Sequence, residues 1–229
     1  MLERYATRFS IVEVNSSFYR HHQQSTYQRW ARTVPADFRF SLKLPRQISH
    51  ALGLRGAGAA LDRFLDEAAG LDGKLGGLLL QLPPSLALDA RVASGFFRAL
   101  RNRSDAALVC EPRHASWFTP KADTLFARFA VTRVAADPAR FAGAGHPGPD
   151  PLWPYWRWHG SPRIYYSDYP DTALAALADE VRRVGTGSIA PWVIFDNTAH
   201  GFATTNAARF QTLLASASHR KPAPGPAHA

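Results

Sequence analysis

Short runs in which apolar and polar residues alternate take turns along this chain with longer stretches whose apolar residues recur every three or four positions. The first period is that of a half-buried strand and the second that of an amphipathic helix. Leu2 to Phe9 is helical in character, and the β-branched, alternating Ile11-Val12-Glu13-Val14-Asn15 predicts a strand. A helix starting at Ser25-Thr26 carries Tyr27, Trp30 and Ala31 on one face and stops at Pro35. Phe38 to Lys43 predicts the second strand; Leu61, Phe64, Leu65, Ala68 and Ala69 mark the next helix; Gly77 to Gln81, ended by Pro83-Pro84, is a third strand. Val92, Phe96, Ala99 and Leu100 then make a helix, and Ala107 to Glu111 a strand. Thr119 is placed to cap a helix whose first turn holds Pro120, where a missing N–H costs nothing. Val131 to Asp137 and Tyr155 to His159 are strands, a helix on Leu174, Leu177, Val181 and Val184 is capped by Asp171, Trp192 to Asp196 is the last strand, and Ala203, Ala207, Phe210 and Leu213 form the last helix.

Residues Pro138 to Pro154, rich in Gly and Pro and without an apolar period, predict a long loop, and the closing SASHRKPAPGPAHA a disordered tail over 216–229. One domain over 1–215 follows, with no repeat and no interior linker. Strict strand–helix alternation requires parallel strands with right-handed crossovers, in an open doubly wound sheet or a (β/α)₈ barrel. No G-x-G-x-x-G follows the first strand, which argues against a dinucleotide fold. On each strand one parity is apolar, while the other turns polar at the C-terminal end. A TIM-type barrel predicts that pattern, because its mouth is built from those ends.

Composition narrows the classes. With 229 residues, 46% of them hydrophobic, the chain has enough apolar material for a full core. A single cysteine, Cys110, excludes an internal disulfide framework and is expected in the core, facing the helices. No apolar run approaches the roughly 18 residues of a membrane helix, and MLERYATRFS is unlike a signal peptide, so a cytoplasmic protein is expected. The formal charge is +9. That balance suits nucleic acid or another polyanion, yet Arg4, Arg8, Arg29, Arg63, Arg98, Arg128 and Arg182 fall singly on helix faces that point to solvent, in no run or stripe.

The candidate chemistry sits at the strand ends: Glu13 and Asn15; Ser41 and Lys43; Gln81; Glu111 and Arg113; Asp137; Arg157 and His159; Asp196 and Asn197. Residues two apart share a face of a strand, so a barrel gathers these groups around one opening.

The same residues carry a resemblance. Tyr5-Ala6, Val12 to Tyr19, Trp30, Phe40-Ser41-Leu42-Lys43 and Ile48-Ser49-His50 resemble the domain-of-unknown-function 72, or YecE-like, family. So do Gln81-Leu82-Pro83-Pro84, Glu111-Pro112-Arg113-His114 with Trp117, Arg157-Trp158-His159-Gly160 and Phe195-Asp196-Asn197-Thr198. The ordered series runs from Tyr5 to about Leu214. The resemblance implies a TIM-type barrel and no particular activity. Such chains open with a further strand holding a Gly-x-Ser-Gly-Trp-like stretch, which is missing here. About seven strands, a barrel without its first strand, are therefore expected, with the true start lying upstream.

Glu13, Lys43, Glu111 and Asp196 are the candidate catalytic residues. A desolvated carboxylate can serve as general acid or base, and a buried lysine as an electrophile or Schiff-base amine; ion pairs among Glu111, Arg113, Arg157, Lys43 and Glu13 are the plainer alternative. Asn15, Gln81, Arg113, His114, Trp117, Arg157, His159 and Asn197 are the candidate substrate-binding residues. Trp117 is read either as a platform for a ring or as core. The loops His159-Gly160-Ser161 and 196–201 suit an anion or simply cap helices. Glu13, Glu111, Asp137, His159 and Asp196 are of the right types for a divalent ion, but no local spacing supports one, so metal and cofactor stay open, as does oligomeric state. His21-His22 is expected at the surface and His50 near the mouth. The expected function is an enzyme using general acid/base chemistry on an anionic or polyhydroxylated substrate, such as a phosphate ester or glycoside hydrolase. The alternative is a nucleic-acid or polyanion binding module without chemistry.

Overall fold

The computed structural model describes residues 1–148, 152–185 and 189–217. Its elements alternate as the periodicity requires: α1 (Leu2–Ala6), β1 (Ile11–Val14), α2 (Ser16–Tyr19), α3 (Gln24–Thr33), β2 (Arg39–Lys43), α4 (Gly58–Ala68), β3 (Leu75–Gln81), α5 (Ala90–Arg101), β4 (Leu108–Glu111), α6 (Pro120–Arg128), β5 (Val131–Arg133), β6 (Ala135–Asp137), β7 (Tyr155–Trp158), α7 (Asp171–Val184), β8 (Trp192–Phe195) and α8 (Phe202–Ala217). Short irregular turns of helix at Gln47–Ala51, Ala69–Lys74 and Ala115–Trp117 had no period to announce them. Thr119 caps α6 through the Ala122 N–H, with Pro120 in the first turn. Asp171, by contrast, is the first residue of α7 and not its cap; Pro170 holds that position, and the Asp171 carboxylate pairs instead with Arg209 of α8. An unforeseen cap is Asp89, which accepts from the N–H groups of Arg91 and Val92 at the start of α5. Of the expected tail, Ser216 and Ala217 close α8; the rest lies outside the described residues, as do 149–151 of the long loop.

All strand pairs are parallel. They form a five-stranded sheet, β1-β2-β3-β4-β5, and a three-stranded sheet, β6-β7-β8. The predicted strand 131–137 is one run of chain broken at Val134. Its first half pairs with β4, the Val134 N–H still reaches the Cys110 carbonyl at 2.8 Å, and from Ala135 it pairs with β7. Seven strand positions therefore follow in a row, as expected. Among the described residues no backbone hydrogen bond joins the outer members β1 and β8, so the sheets do not close into a ring.

Side-chain parity sorts the core into layers. Leu78, Leu80, Leu108 and Cys110 face the helices and pack with Phe64, Phe96 and Phe97; Trp156 packs against Leu174, Leu177 and Ala178 of α7. The opposite parity from both sheets forms a single inner cluster of Leu79, Val109, Val134, Trp153, Tyr155 and Trp192. Gly76 and Gly77 make room for it: a Cβ on Gly77 would stand 2.4 Å from the Trp153 ring and 2.7 Å from the Ala107 carbonyl, and one on Gly76 2.8 Å from Trp192. The apolar plug thus lies under the C-terminal strand ends. No helix among the described residues is long and apolar enough to cross a membrane.

Candidate active site

Above the plug the inward parity becomes ionic. Arg157 projects inward from β7 while its neighbours Trp156 and Trp158 face the helices, and its side chain is 1% exposed. Three carboxylates from three other strands surround its guanidinium. Nε and Nη2 donate to both oxygens of Glu13 (2.7–3.2 Å), Nη1 donates to Glu111, and Nη2 also reaches Asp196 at 3.3 Å. The Tyr155 hydroxyl adds a 2.8 Å bond to Glu13, and Arg113 Nε donates to Glu111 at 2.7 Å. This corrects the reading of Arg157 as a substrate-binding group. Bidentate and charge-assisted pairs of this kind hold tightly, and the guanidinium is spent in ordering Glu13, Glu111 and Asp196.

The same charges set the protonation states. Burial alone would raise the Glu111 carboxyl, but Arg157, His159 and Arg113 overcome it and hold it well below the usual carboxylate range. Burial is likewise outweighed at Asp196, which is lowered by its bond to His159 and by Arg157. At His159 burial would lower the imidazole, yet Glu111 and Asp196 raise it above its ordinary value. His159 Nδ1 is 3.1 Å from Asp196 Oδ2. Its Nε2 is 3.6 Å from Glu111 Oε2, beyond hydrogen-bonding reach, and is buried without a partner. A carboxylate that orients one nitrogen and leaves the other open is the arrangement of a general acid or base.

That open nitrogen belongs to the wall of a cavity of about 200 Å³. Glu111, Arg113, Arg140 and His159 supply its polar lining; Phe118, Phe141 and Tyr165 supply aromatic walls. Tyr165 adopts φ +71°, uncommon for a bulky residue. Its N–H is tied to the His159 carbonyl at 2.6 Å and its carbonyl accepts from Ala199 at 3.0 Å. Backbone held this way at a cavity is a mark of function. Arg140 and Phe141 come from the Gly/Pro-rich loop, whose lack of period concealed them, and nothing in the pattern singled out Tyr165.

The remaining expected residues divide. Lys43 and Gln81 are buried, on β2 and β3, with Gln81 in register beside Glu111. Asn15 is half-buried and its Oδ1 is unpartnered. Trp117 is core: 1% exposed, stacked on Phe126 and donating to the Leu86 carbonyl, it offers no face to a ring. His114 turns to Ser116 and caps the short helix that follows. Asn197 is fully buried and donates to Ser167 and Asn206, tying α8 to the strand ends. Asp137 accepts from the Tyr169 hydroxyl, which in turn accepts from the Gly160 N–H. With the N–H groups of Gly160, Ala199 and Gly201 all donated to protein acceptors, the two loops expected to hold an anion are closed upon themselves. Among the described residues no group of three or more His, Cys, Asp or Glu is arranged to hold a metal ion. His21 pairs with Glu67, His22 packs on Tyr27 and Trp30, and His50 lies against Phe18 near the mouth.

An α/β protein of parallel sheets, with an ionic cluster over an aromatic plug and a cavity at one side, is the class these features define. Residues 1–228 match the model of the family described as Protein of unknown function DUF72, and the chain belongs to that family. Over 82 residues it is 37% identical to the UPF0759 protein YecE of Escherichia coli K12, a match covering 36% of this chain and 30% of YecE; the O157:H7 protein matches equally. The match thus spans less than a third of the length of those curated relatives. Among solved structures, a DUF72 family protein from Enterococcus faecalis V583 is similar at a TM-score of 0.79 and 20% identity, over 100% of this chain and 92% of that one. One from Thermotoga maritima MSB8 is similar at 0.77 and 24%, over 90% and 85%. At such identities the likeness concerns the fold.

Proposed function

We propose that the cavity beside Glu111 is an enzyme active site in which His159, oriented by Asp196, passes a proton to and from a small anionic substrate. The observation that carries this reading is the unpartnered Nε2 of His159 in the cavity wall, on an imidazole whose other nitrogen is held by a carboxylate. Arg113 and Arg140 in the same wall favour a negatively charged group. Among the two hydrolyses considered, a phosphate ester suits the site better than a glycoside. Glycoside hydrolysis needs a carboxylic acid that keeps its proton near neutral pH, whereas Glu111 is held ionised. An imidazolium is the acid this site can offer.

The barrel reading accompanies this proposal. The inner faces of both sheets share one apolar cluster, and Glu13 of β1 reaches Arg157 of β7. Both features support a TIM-type barrel over 1–215, with an unpaired seam between β1 and β8. The polyanion-binding alternative has less support. Arg55, Arg63, Arg103 and Arg209 on the surface are each paired with a local carboxylate.

A panel of phosphate monoesters and aryl glycosides tests the proposal. Turnover of a phosphate ester is expected, falling ~100-fold or more in His159→Gln with the thermal midpoint unchanged. Equal turnover in the variant, or binding of oligonucleotides that weakens steeply with salt and no turnover, overturns it.

A further inference from the structure

Of the 27 basic residues only four are lysines: Lys43, Lys74, Lys121 and Lys221. Lys43 is the buried one among the described lysines, 6% exposed at the C-terminal end of β2 on the inward parity. Its backbone is pinned by Ser17, whose hydroxyl donates to the Lys43 carbonyl at 2.7 Å. Its ammonium group lies over the Phe18 ring, 4.2 Å from the centroid. The His50 ring meets Phe18 edge-on at 5.1 Å. Among the described residues Nζ forms no ion pair, because the three nearby carboxylates are all turned toward Arg157.

A buried ammonium with no carboxylate partner is an unfavourable state, relieved by losing its proton. The surroundings reinforce this. Burial first, then the positive charge of Arg157, with a smaller push from Arg113, lower Lys43 against the opposing pull of Glu111 and Glu13, to about 8. Asp196 and His50 also feel the Lys43 charge. Arginine, the cation this chain uses almost everywhere else, stays protonated and cannot act as a nucleophile at neutral pH.

We propose that Lys43 is a nucleophilic amine that forms an imine with a small carbonyl compound bearing an anionic group. The neutral Nζ adds its lone pair to the carbonyl carbon, and the carbonyl π electrons go to oxygen, which takes up a proton. The resulting carbinolamine loses its hydroxyl as water, with a proton supplied to the leaving oxygen, and a C=N bond remains. No oxidant or reductant is involved. The anionic group fits because Arg113, His50 and Arg157 all bear on Lys43, and Glu111 and Arg113 also line the cavity described above. The inference rests on that mouth being a reaction site but not on His159.

Borohydride trapping of the full chain tests it. Glycolaldehyde phosphate with sodium borohydride at pH 7 is expected to add the probe's mass less one oxygen atom to Lys43. At that pH Lys43 holds on the order of a hundredfold more free amine than an ordinary lysine, so labelling of Lys74 and Lys121 is expected to be minor. Uncharged glycolaldehyde is expected to label Lys43 more weakly, and inorganic phosphate to suppress labelling by the phosphorylated probe. Label absent from Lys43, or spread evenly over the lysines, overturns the inference; equal labelling by both probes overturns its anionic part. The His159→Gln variant separates the two readings. Its Lys43 is expected to be labelled as in the parent, whether or not turnover of phosphate esters is lost.

Discussion

The inner face of the strands has two levels built on the same parity, and they hold together by opposite means. The lower level, Leu79, Val109, Trp153, Tyr155 and Trp192, is dry and aromatic, and its stability scales with area and fit. The upper level, Glu13, Glu111, Asp196 and His159 around Arg157, is as deeply buried but ionic. Its charges have been taken out of water, and that cost is offset only if every partner is present. One level tolerates imperfect filling; the other fails when a single member is removed, and in exchange fixes the protonation of the groups beside the cavity.

The largest expected effect follows from the upper level. Arg157→Met leaves three carboxylates without their shared cation and is expected to cost ~3–5 kcal/mol in urea unfolding. A loss under ~1 kcal/mol would mean that these groups are solvated and the contrast is false. At the lower level Gly77→Ala is expected to cost ~1–3 kcal/mol by overpacking against Trp153. Trimming the indole in a Gly77→Ala/Trp153→Phe double variant should give a coupling energy of the opposite sign, and additivity would show that the two sites do not touch. Asp196→Asn is expected to cost about 1–2 kcal/mol and to move the His159 titration, followed by NMR, toward its ordinary value.

The pH dependence of stability sharpens the same contrast. Glu111 and Asp196 are lowered on folding, so the stability they contribute is present above the ordinary carboxylate range and is lost as pH falls through their folded values. His159 is raised, so its contribution is complete below about 6.5 and declines as pH rises through its folded value. His159→Gln should abolish that decline; an unchanged alkaline limb would place its origin elsewhere. Smallest of all, amides of β1 and β8 that face the seam should exchange with deuterium faster than those of β3 and β4. Equal protection would mean that the seam is bridged.

Strand parity made much of this legible in the sequence. Alternation along Val109-Cys110-Glu111 and Trp156-Arg157-Trp158 was enough to assign Cys110 and both tryptophans to the helix side and Glu111 and Arg157 to the inside. What parity cannot report is which inward groups meet. Arg157 and Glu13 lie 144 residues apart, and the choice of partner depends on the curvature of sheets that local pattern does not encode. The guanidinium therefore read as a ligand receptor when it is a keystone. Trp117 misled for a related reason: a ring beside a strand end is indistinguishable, in sequence, from one folded back onto Phe126. The break at Val134 was invisible because the alternation runs straight through it.

The glycines opposite the two indoles carry an evolutionary implication. Position 77 has surrendered its side chain so that position 153 can be a tryptophan, and the space between strands β3 and β7 admits only one of the two bulks. In any chain sharing this interior, a residue with a Cβ at the first place should be accompanied by a smaller one at the second, a reciprocal trade in volume that a set of related sequences would expose.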